Sequence, residues 1–314
     1  MNILFMGTPD FATASLDALL SAGKQVCAVV TQPDRQRGRG MKVTFSDVKK
    51  YALEKNLPVL QPETLRGGAF LPVLEQYKPD LIAVVAYGKI LPEYILNYPR
   101  YGCVNVHGSL LPKYRGAAPI QRAVLDGETI SGVTTMRLDK GMDTGDMYFS
   151  ESVEIGENMT TGELFDKLAE IGGKLLVKTV EALENGTAVP VPQDHANATH
   201  AEKITDEECL VDFSLDARTV HNRIRGLSPF PGAFSYLDGK TVKLYDSRVN
   251  ETESTGTPFG TVTEASRGGV VISCGKGSVR LMHFKPEGKG MLSAADMVNG
   301  RKIAAGMRFE SKKG

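Results

Sequence analysis

Asn105 and His107 stand two residues apart in an apolar run, Cys103-Val104-Asn105-Val106-His107. On a strand that spacing puts both side chains on one face, about 7 Å apart. A carboxamide and an imidazole on one face can both donate hydrogen bonds to a group that develops negative charge. A third polar group is available in Asp139-Lys140-Gly141-Met142-Asp143-Thr144-Gly145-Asp146, which has three acids and two glycines that let the loop bend. An aspartate beside the histidine would favour its charged form and could take up a proton. The plainer alternative is a strand-end Asn and His satisfied by local hydrogen bonds.

A second group of residues carries charge rather than reactive chemistry. Residues 32–45 hold Arg35, Arg37, Arg39 and Lys42 with two glycines, and only Asp34 opposes them. Connections in α/β units usually take about 2–6 residues, so this polar loop is oversized. It reads either as a surface loop or as an arm that touches phosphates.

These residues need a scaffold. Ile3–Met6 is an apolar strand ending at Gly7, and Thr8-Pro9 reads as a helix start with Thr8 capping. Ala12, Leu16, Leu19 and Leu20 then line one helical face, and Gln25–Thr31 is a second strand. This βαβ opening predicts a Rossmann-like, mostly parallel α/β sheet. The turn Gly7-Thr8-Pro9-Asp10 lacks the G-x-G-x-x-G fingerprint, so no dinucleotide is expected. Further strands are read at 80–86, 102–107, 132–138 and 147–155, with helices at 46–56, 119–127 and 160–185. Ligands in such sheets bind beyond the carboxyl ends of the strands, where 87–92, 105–115 and 139–146 should meet.

Residues 1–188 are read as this catalytic domain and 189–206, with Pro190 and Pro192, as a linker. Residues 207–314 read as a second domain. It has a helix at 217–226, the turn Ser228-Pro229-Phe230-Pro231-Gly232 and five short strands with Gly-rich turns. That texture predicts a small β-barrel.

The segments N-V-H-G-S-L-L-P-K-Y-R-G-A-A-P at 105–119 and G-M-D-T-G-D at 141–146 resemble the 10-formyltetrahydrofolate-dependent formyltransferases. G-T-P-D-F, Q-P-D-R-Q-R-G-R-G-M-K, A-Y-G-K-I-L-P, S-P-F-P-G-A and K-P-E-G-K-G-M resemble the branch of that family that acts on methionyl-tRNA. The likeness implies transfer of a formyl group to the methionine amine of initiator tRNA for translation initiation. Asn105, His107 and Asp143 would be catalytic. Ser109, Leu110, Leu111 and Pro112 would contact 10-formyltetrahydrofolate as formyl-donor co-substrate, with Tyr87–Leu91 and the 139–143 loop closing the pterin side. Arg39 leads the tRNA contacts, followed by Arg35, Arg37 and Lys42, and the likeness implies that the C-terminal domain is an OB-like β-barrel, with Arg223, Arg225, Lys285 and Lys289 as its candidate contacts. The rivals are a formyltransferase for a small amine, such as a nucleotide sugar or glycinamide ribonucleotide, and a non-catalytic RNA-binding protein. A small acceptor needs neither the basic loop nor the barrel.

Composition bounds the rest. The 314 residues balance 37 Lys and Arg against 37 Asp and Glu, which excludes a simple polybasic binder. The neutrality is a cancellation: residues 207–314 carry 16 basic and 12 acidic residues, leaving 21 and 25 in residues 1–206. Cys27, Cys103, Cys209 and Cys274 have neither metal-ligand nor redox-motif spacing, and His195, His200, His221 and His283 have no ligand spacing. No metal is therefore expected. No apolar run reaches the ~18 residues of a membrane span, and the first residues enter a strand without a basic leader. A cytoplasmic monomer is the expectation.

Overall fold

The computed structural model describes residues 1–37, 42–250 and 256–311; for Arg35–Arg37, Lys42 and Val43 it describes the strand placement alone. The chain divides into two compact units. The first comprises Met1–Pro119, Ser131–Val153 and Phe165–Ala201, and the second Ile120–Ile130, Glu154–Leu164 and Glu202–Gly314.

The first unit is built on a seven-stranded sheet. In chain order its strands are β1 (Asn2–Gly7), β2 (Gln25–Val30), β3 (Val59–Leu60), β4 (Leu81–Val85), β5 (Cys103–His107), β6 (Ile130–Arg137) and β7 (Met147–Glu154), arranged β7-β6-β5-β4-β1-β2-β3. The pairs β1–β2, β1–β4, β2–β3 and β4–β5 are parallel, and β5–β6 is antiparallel. Strand sequences such as Ile3-Leu4-Phe5-Met6 and Leu81-Ile82-Ala83-Val84 are apolar on both faces because the sheet is covered on both. Leu4, Met6, Val30, Ile82 and Val84 fill one face with Phe70, Leu74 and Ile95. Burying each such side chain contributes roughly 1.5–3 kcal/mol.

Helices α1 (Asp10–Ser21), α2 (Asp47–Glu54), α3 (Leu71–Tyr77) and α4 (Glu93–Leu96) belong to this unit, α5 (Pro119–Leu125) falls in the second unit after Pro119, and α6 (Thr161–Glu184) starts in the second unit and enters the first at Phe165. At α1 the capping expectation fails: Pro9 occupies the cap position and no side chain caps the helix. Instead Thr8 Oγ1 donates to the Tyr87 carbonyl at 3.1 Å, tying this turn to the end of β4. The basic segment is not wholly a loop either. Arg35–Arg37 pairs antiparallel with Lys42–Thr44. Its base is fixed by Asp34, which accepts from Lys49 Nζ at 2.5 Å and from Gln61 Nε2 at 2.8 Å.

In the second unit, α7 (Ala217–Gly226) and α8 (Ala294–Asn299) accompany β8 (Phe234–Leu237), β9 (Lys240–Asn250), β10 (Val262–Ser266), β11 (Gly269–Ser273), β12 (Ser278–Pro286) and β13 (Phe309–Glu310). These strands run β10-β11-β12-β9-β8-β13. The sheet curls until its edges meet, with Thr261 bridging Arg308 and Val262 N donating to Met307 O at 2.8 Å. Leu244, Ile272, Leu281, Phe284 and Phe309 fill the interior with Val220 and Ile224 of α7. This antiparallel half-barrel answers both the small barrel that the strand spacing predicts and the OB-like domain that the family resemblance implies.

Candidate active site

β5 is central in its sheet, pairing Asn105 with Val84 on one side and with Met136 on the other. Val104 and Val106 point into the packed face, which leaves Asn105 and His107 together on the opposite face at the carboxyl end. Both are buried, at 8% and 5% exposure. The Asn105 carboxamide has no hydrogen-bond partner among the described residues, yet none of its polar atoms is sealed away. It is a donor facing an approachable space.

His107 is held from the loop that follows it. Its Nε2 lies 2.9 Å from the Tyr114 carbonyl, which can only accept, so Nε2 carries a hydrogen. Nδ1 faces Asp143 Oδ2 at 3.7 Å, too long for a direct hydrogen bond but close enough for charge to act. Asp143 Oδ2 accepts from Gly116 N at 2.9 Å. Asn105, His107 and Asp143, separated by up to 38 residues in sequence, therefore converge at one strand end. Asp139 serves the loop instead: its Oδ1 accepts from Gly141 N at 2.9 Å and from Thr144 Oγ1 at 2.7 Å.

The segment Ser109–Pro112 turns back across the end of β6. Thr134, fully buried, donates to Ser109 O at 2.8 Å and accepts from Leu111 N at 3.2 Å, while Ser109 Oγ donates to Lys113 O at 2.7 Å. Gly132 lies beneath, where a Cβ would run into the Glu151 carbonyl and the Leu110 side chain. Leu111 is buried, and Leu110 is half-buried. Two large apolar side chains stand out from the flanking loops: Ile90 is 84% exposed and Met142 62%. Tyr87 is buried with its hydroxyl unpartnered, and burial pushes its pKa up to about 12. A cavity of about 320 Å³ lies beside the 139–146 loop, lined by residues including Glu93, Leu96, Arg137 and Asp146.

Of the basic residues, Arg35, Arg37 and Lys42 sit on the hairpin strands, and Arg39 lies outside the described residues. Arg225 does not present its charge outward. It is 6% exposed, and its guanidinium donates to Asn222 Oδ1 at 2.9 Å and Met159 O at 3.0 Å, while burial lowers its pKa. Arg223 donates to Glu208 O. Both hold backbone within the second unit. Arg223 and Arg225 read in sequence as charges open to a partner, but the backbone groups they hold are set by tertiary packing that sequence does not display.

Sequence reading also missed Gln193. It is 5% exposed, in a stretch with no periodic pattern, and its amide reaches the Asp143 loop. Among the described residues no group of His, Cys, Asp and Glu is arranged to hold a metal ion, and no helix is long and apolar enough to cross a membrane.

Comparison with known proteins extends this geometry. The formyl transferase family model matches residues 1–180, and the formyl transferase C-terminal domain model matches residues 203–302. The chain is 45% identical over 311 residues to a methionyl-tRNA formyltransferase of Lachnospira eligens, covering 98% of this chain and 99% of the relative. It is 48% identical over 305 residues to that of Desulfotalea psychrophila, covering 97% and 94%. Among solved structures it resembles HypX of Aquifex aeolicus, in complex with tetrahydrofolic acid. The TM-score is 0.65 at 20% identity, covering 96% of this chain and 48% of HypX, so it spans about half that protein's length.

Proposed function

The chain belongs to the formyl transferase family, and from that membership we propose that it transfers the formyl group of 10-formyltetrahydrofolate to the methionine amino group of charged initiator tRNA. The observation that carries this reading is the near-full-length likeness, over both units, to enzymes named methionyl-tRNA formyltransferase.

The residues around the strand end suit a folate. Ile90, Met142 and Leu110 offer apolar surface to a flat ring, and the Thr134-pinned segment Ser109–Pro112 offers a fixed edge. When bound, 10-formyltetrahydrofolate supplies the activated formyl carbon. The methionyl amine attacks in its neutral form, and as the new C–N bond makes its nitrogen acidic, Asp143 takes one proton from it, directly or through water. Asn105 then donates from its carboxamide to the oxygen that gains negative charge. His107, with Nε2 already committed to Tyr114, in its protonated form presents Nδ1–H toward the same space. As the bond from the formyl carbon to the donor nitrogen breaks, Asp143 returns its proton to that nitrogen. Each oxyanion donor is worth roughly 100- to 1000-fold in rate.

For the acceptor, the reading assigns Arg35, Arg37, Arg39 and Lys42 to phosphates of the tRNA. The proposed catalytic side chains converge within the chain, and a monomer working in the cytoplasm, where translation starts, fits the reading. The experiment is formyl transfer by the Asn105→Ala, His107→Ala and Asp143→Ala variants: each should be slow, and near-normal rates in all three would overturn the mechanism.

A further inference from the structure

We infer that Gln193 is a positioning residue for this reaction, setting where Asp143 stands by holding its main chain; the inference rests on the reading of Asp143 as the proton acceptor. Asp143 has φ 54°, in the left-handed region that few residues other than glycine enter, though aspartate does so more readily than most. The side-chain amide of Gln193 fixes the backbone on either side of this conformation. Nε2 spends both hydrogens on the loop, donating to Asp143 O at 2.9 Å and to Gly145 O at 2.7 Å.

The amide cannot turn over. Its Oε1 accepts from Arg115 Nε at 3.1 Å and from Arg115 Nη2 at 2.6 Å, and Nη2 also donates to His195 Nδ1 at 3.0 Å. Flipping Gln193 would set its NH2 against a guanidinium and its oxygen against two carbonyls. The next residue, Gly116, donates its N–H to the Asp143 carboxylate. Asp143 is thereby gripped at both ends, its backbone by Gln193 and its carboxylate by Gly116.

The grip has a firm base. Arg115–Gly116 pairs in parallel with His200–Ala201, Arg115 N donates to Thr199 O at 2.8 Å, and Ala117 N donates to Ala201 O at 2.9 Å. At Gly116, φ is 119° and a Cβ would meet the Ala201 carbonyl at 2.9 Å, so only glycine lets these backbones approach. Tyr114, in the same turn, accepts from His107 Nε2. The 193–201 stretch thus holds His107 and Asp143 in one frame while touching neither side chain. Gln193 contacts no reacting atom, and its effect passes through Asp143.

The test is Gln193→Met, which keeps length and removes every hydrogen bond, measured by single-turnover formyl transfer alone and with Asp143→Asn. Alone, Gln193→Met should lower the rate roughly 10- to 100-fold, the scale of a displaced catalytic group. KM for folate and tRNA should stay within about twofold of wild type, because no binding group is lost. In the Asp143→Asn background the same change should cost less than about threefold, because the group it positions is gone. Equal losses in both backgrounds, or a loss carried by KM, would overturn the inference. Should Gln193→Met not fold, Gln193→Glu carries the same cycle, since it retains the oxygen that Arg115 grips and removes the two donors to the loop. A normal rate for Asp143→Asn alone would sink the reading of Asp143. A slow Asp143→Asn with additive Gln193 losses would sink only the positioning role.

Discussion

Removing the Asn105 carboxamide should separate catalysis from stability more cleanly than any other change at the site. In most buried asparagines, truncation strands a partner and costs about 1–3 kcal/mol of folding free energy. Asn105 has no partner among the described residues, so Asn105→Ala strands nothing and should alter stability by no more than about 1 kcal/mol. On the proposed role, catalysis should lose an oxyanion donor, worth about 2.7–4 kcal/mol of transition-state stabilisation, or roughly 100- to 1000-fold. The donor acts on charge that exists only as the C–N bond forms, so the loss should fall on kcat and leave KM for both substrates nearly unchanged. Single-turnover formyl transfer beside a thermal melt measures both quantities. A loss under tenfold, or one expressed wholly in KM, would refute the oxyanion role. A melting temperature lowered by many degrees would show that the carboxamide is structural.

Other outcomes follow from the same geometry. Arg39→Ala should raise KM for tRNA and reduce the slope of affinity against log salt by about 1, leaving folate binding unchanged; an unaltered tRNA KM would count against the phosphate assignment. Gly132→Ala drives a methyl into the Glu151 carbonyl and Leu110, so it should destabilise by roughly 1–3 kcal/mol and raise KM for the folate; a wild-type melt and KM together would contradict that packing. His221 is fully buried between Ser247 Oγ at 2.7 Å and Glu157 O at 3.0 Å, and burial holds its pKa below the ordinary 6.5. The unfolded chain therefore binds a proton that the fold does not. The His221 contribution is complete above about pH 6.5 and is lost as pH falls below it. Melts from pH 7.5 to 5 should show a steeper decline in wild type than in His221→Gln, and equal slopes would remove His221 as the cause.

Much of the scaffold can be read from local pattern because local pattern is what builds it. Apolar runs such as Leu81–Val85 announce strands buried on both faces, and the two-residue spacing of Asn105 and His107 fixes their common face. The long helix read at 160–185 is found at Thr161–Glu184. What escapes are features set by distant partners. α4 spans four residues, too short for a periodic stripe to form, and only Leu74 of α3 is buried, which leaves no stripe to read there. The hairpin strands Arg35–Arg37 and Lys42–Thr44 carry arginines and lysine where a buried strand would carry apolar residues, so they read as loop. Gln193 is buried by Arg115 and by the Asp143 loop, 78 and 50 residues away, and nothing beside it in sequence signals that. The charge of Arg225 suggests a surface contact, and only the packing of α7 shows that it serves the fold.

The central claim is that this chain carries a formyl group from folate to the amine of methionine on initiator tRNA. The most direct measurement incubates the protein with 10-formyltetrahydrofolate and either initiator or elongator methionyl-tRNA, and scores formyl-methionine released from the tRNA by mass spectrometry. The account predicts donor-dependent formylation of the initiator species, with the elongator species strongly disfavoured. No formyl-methionine on initiator tRNA, with formyl transfer instead to a small amine, would contradict it.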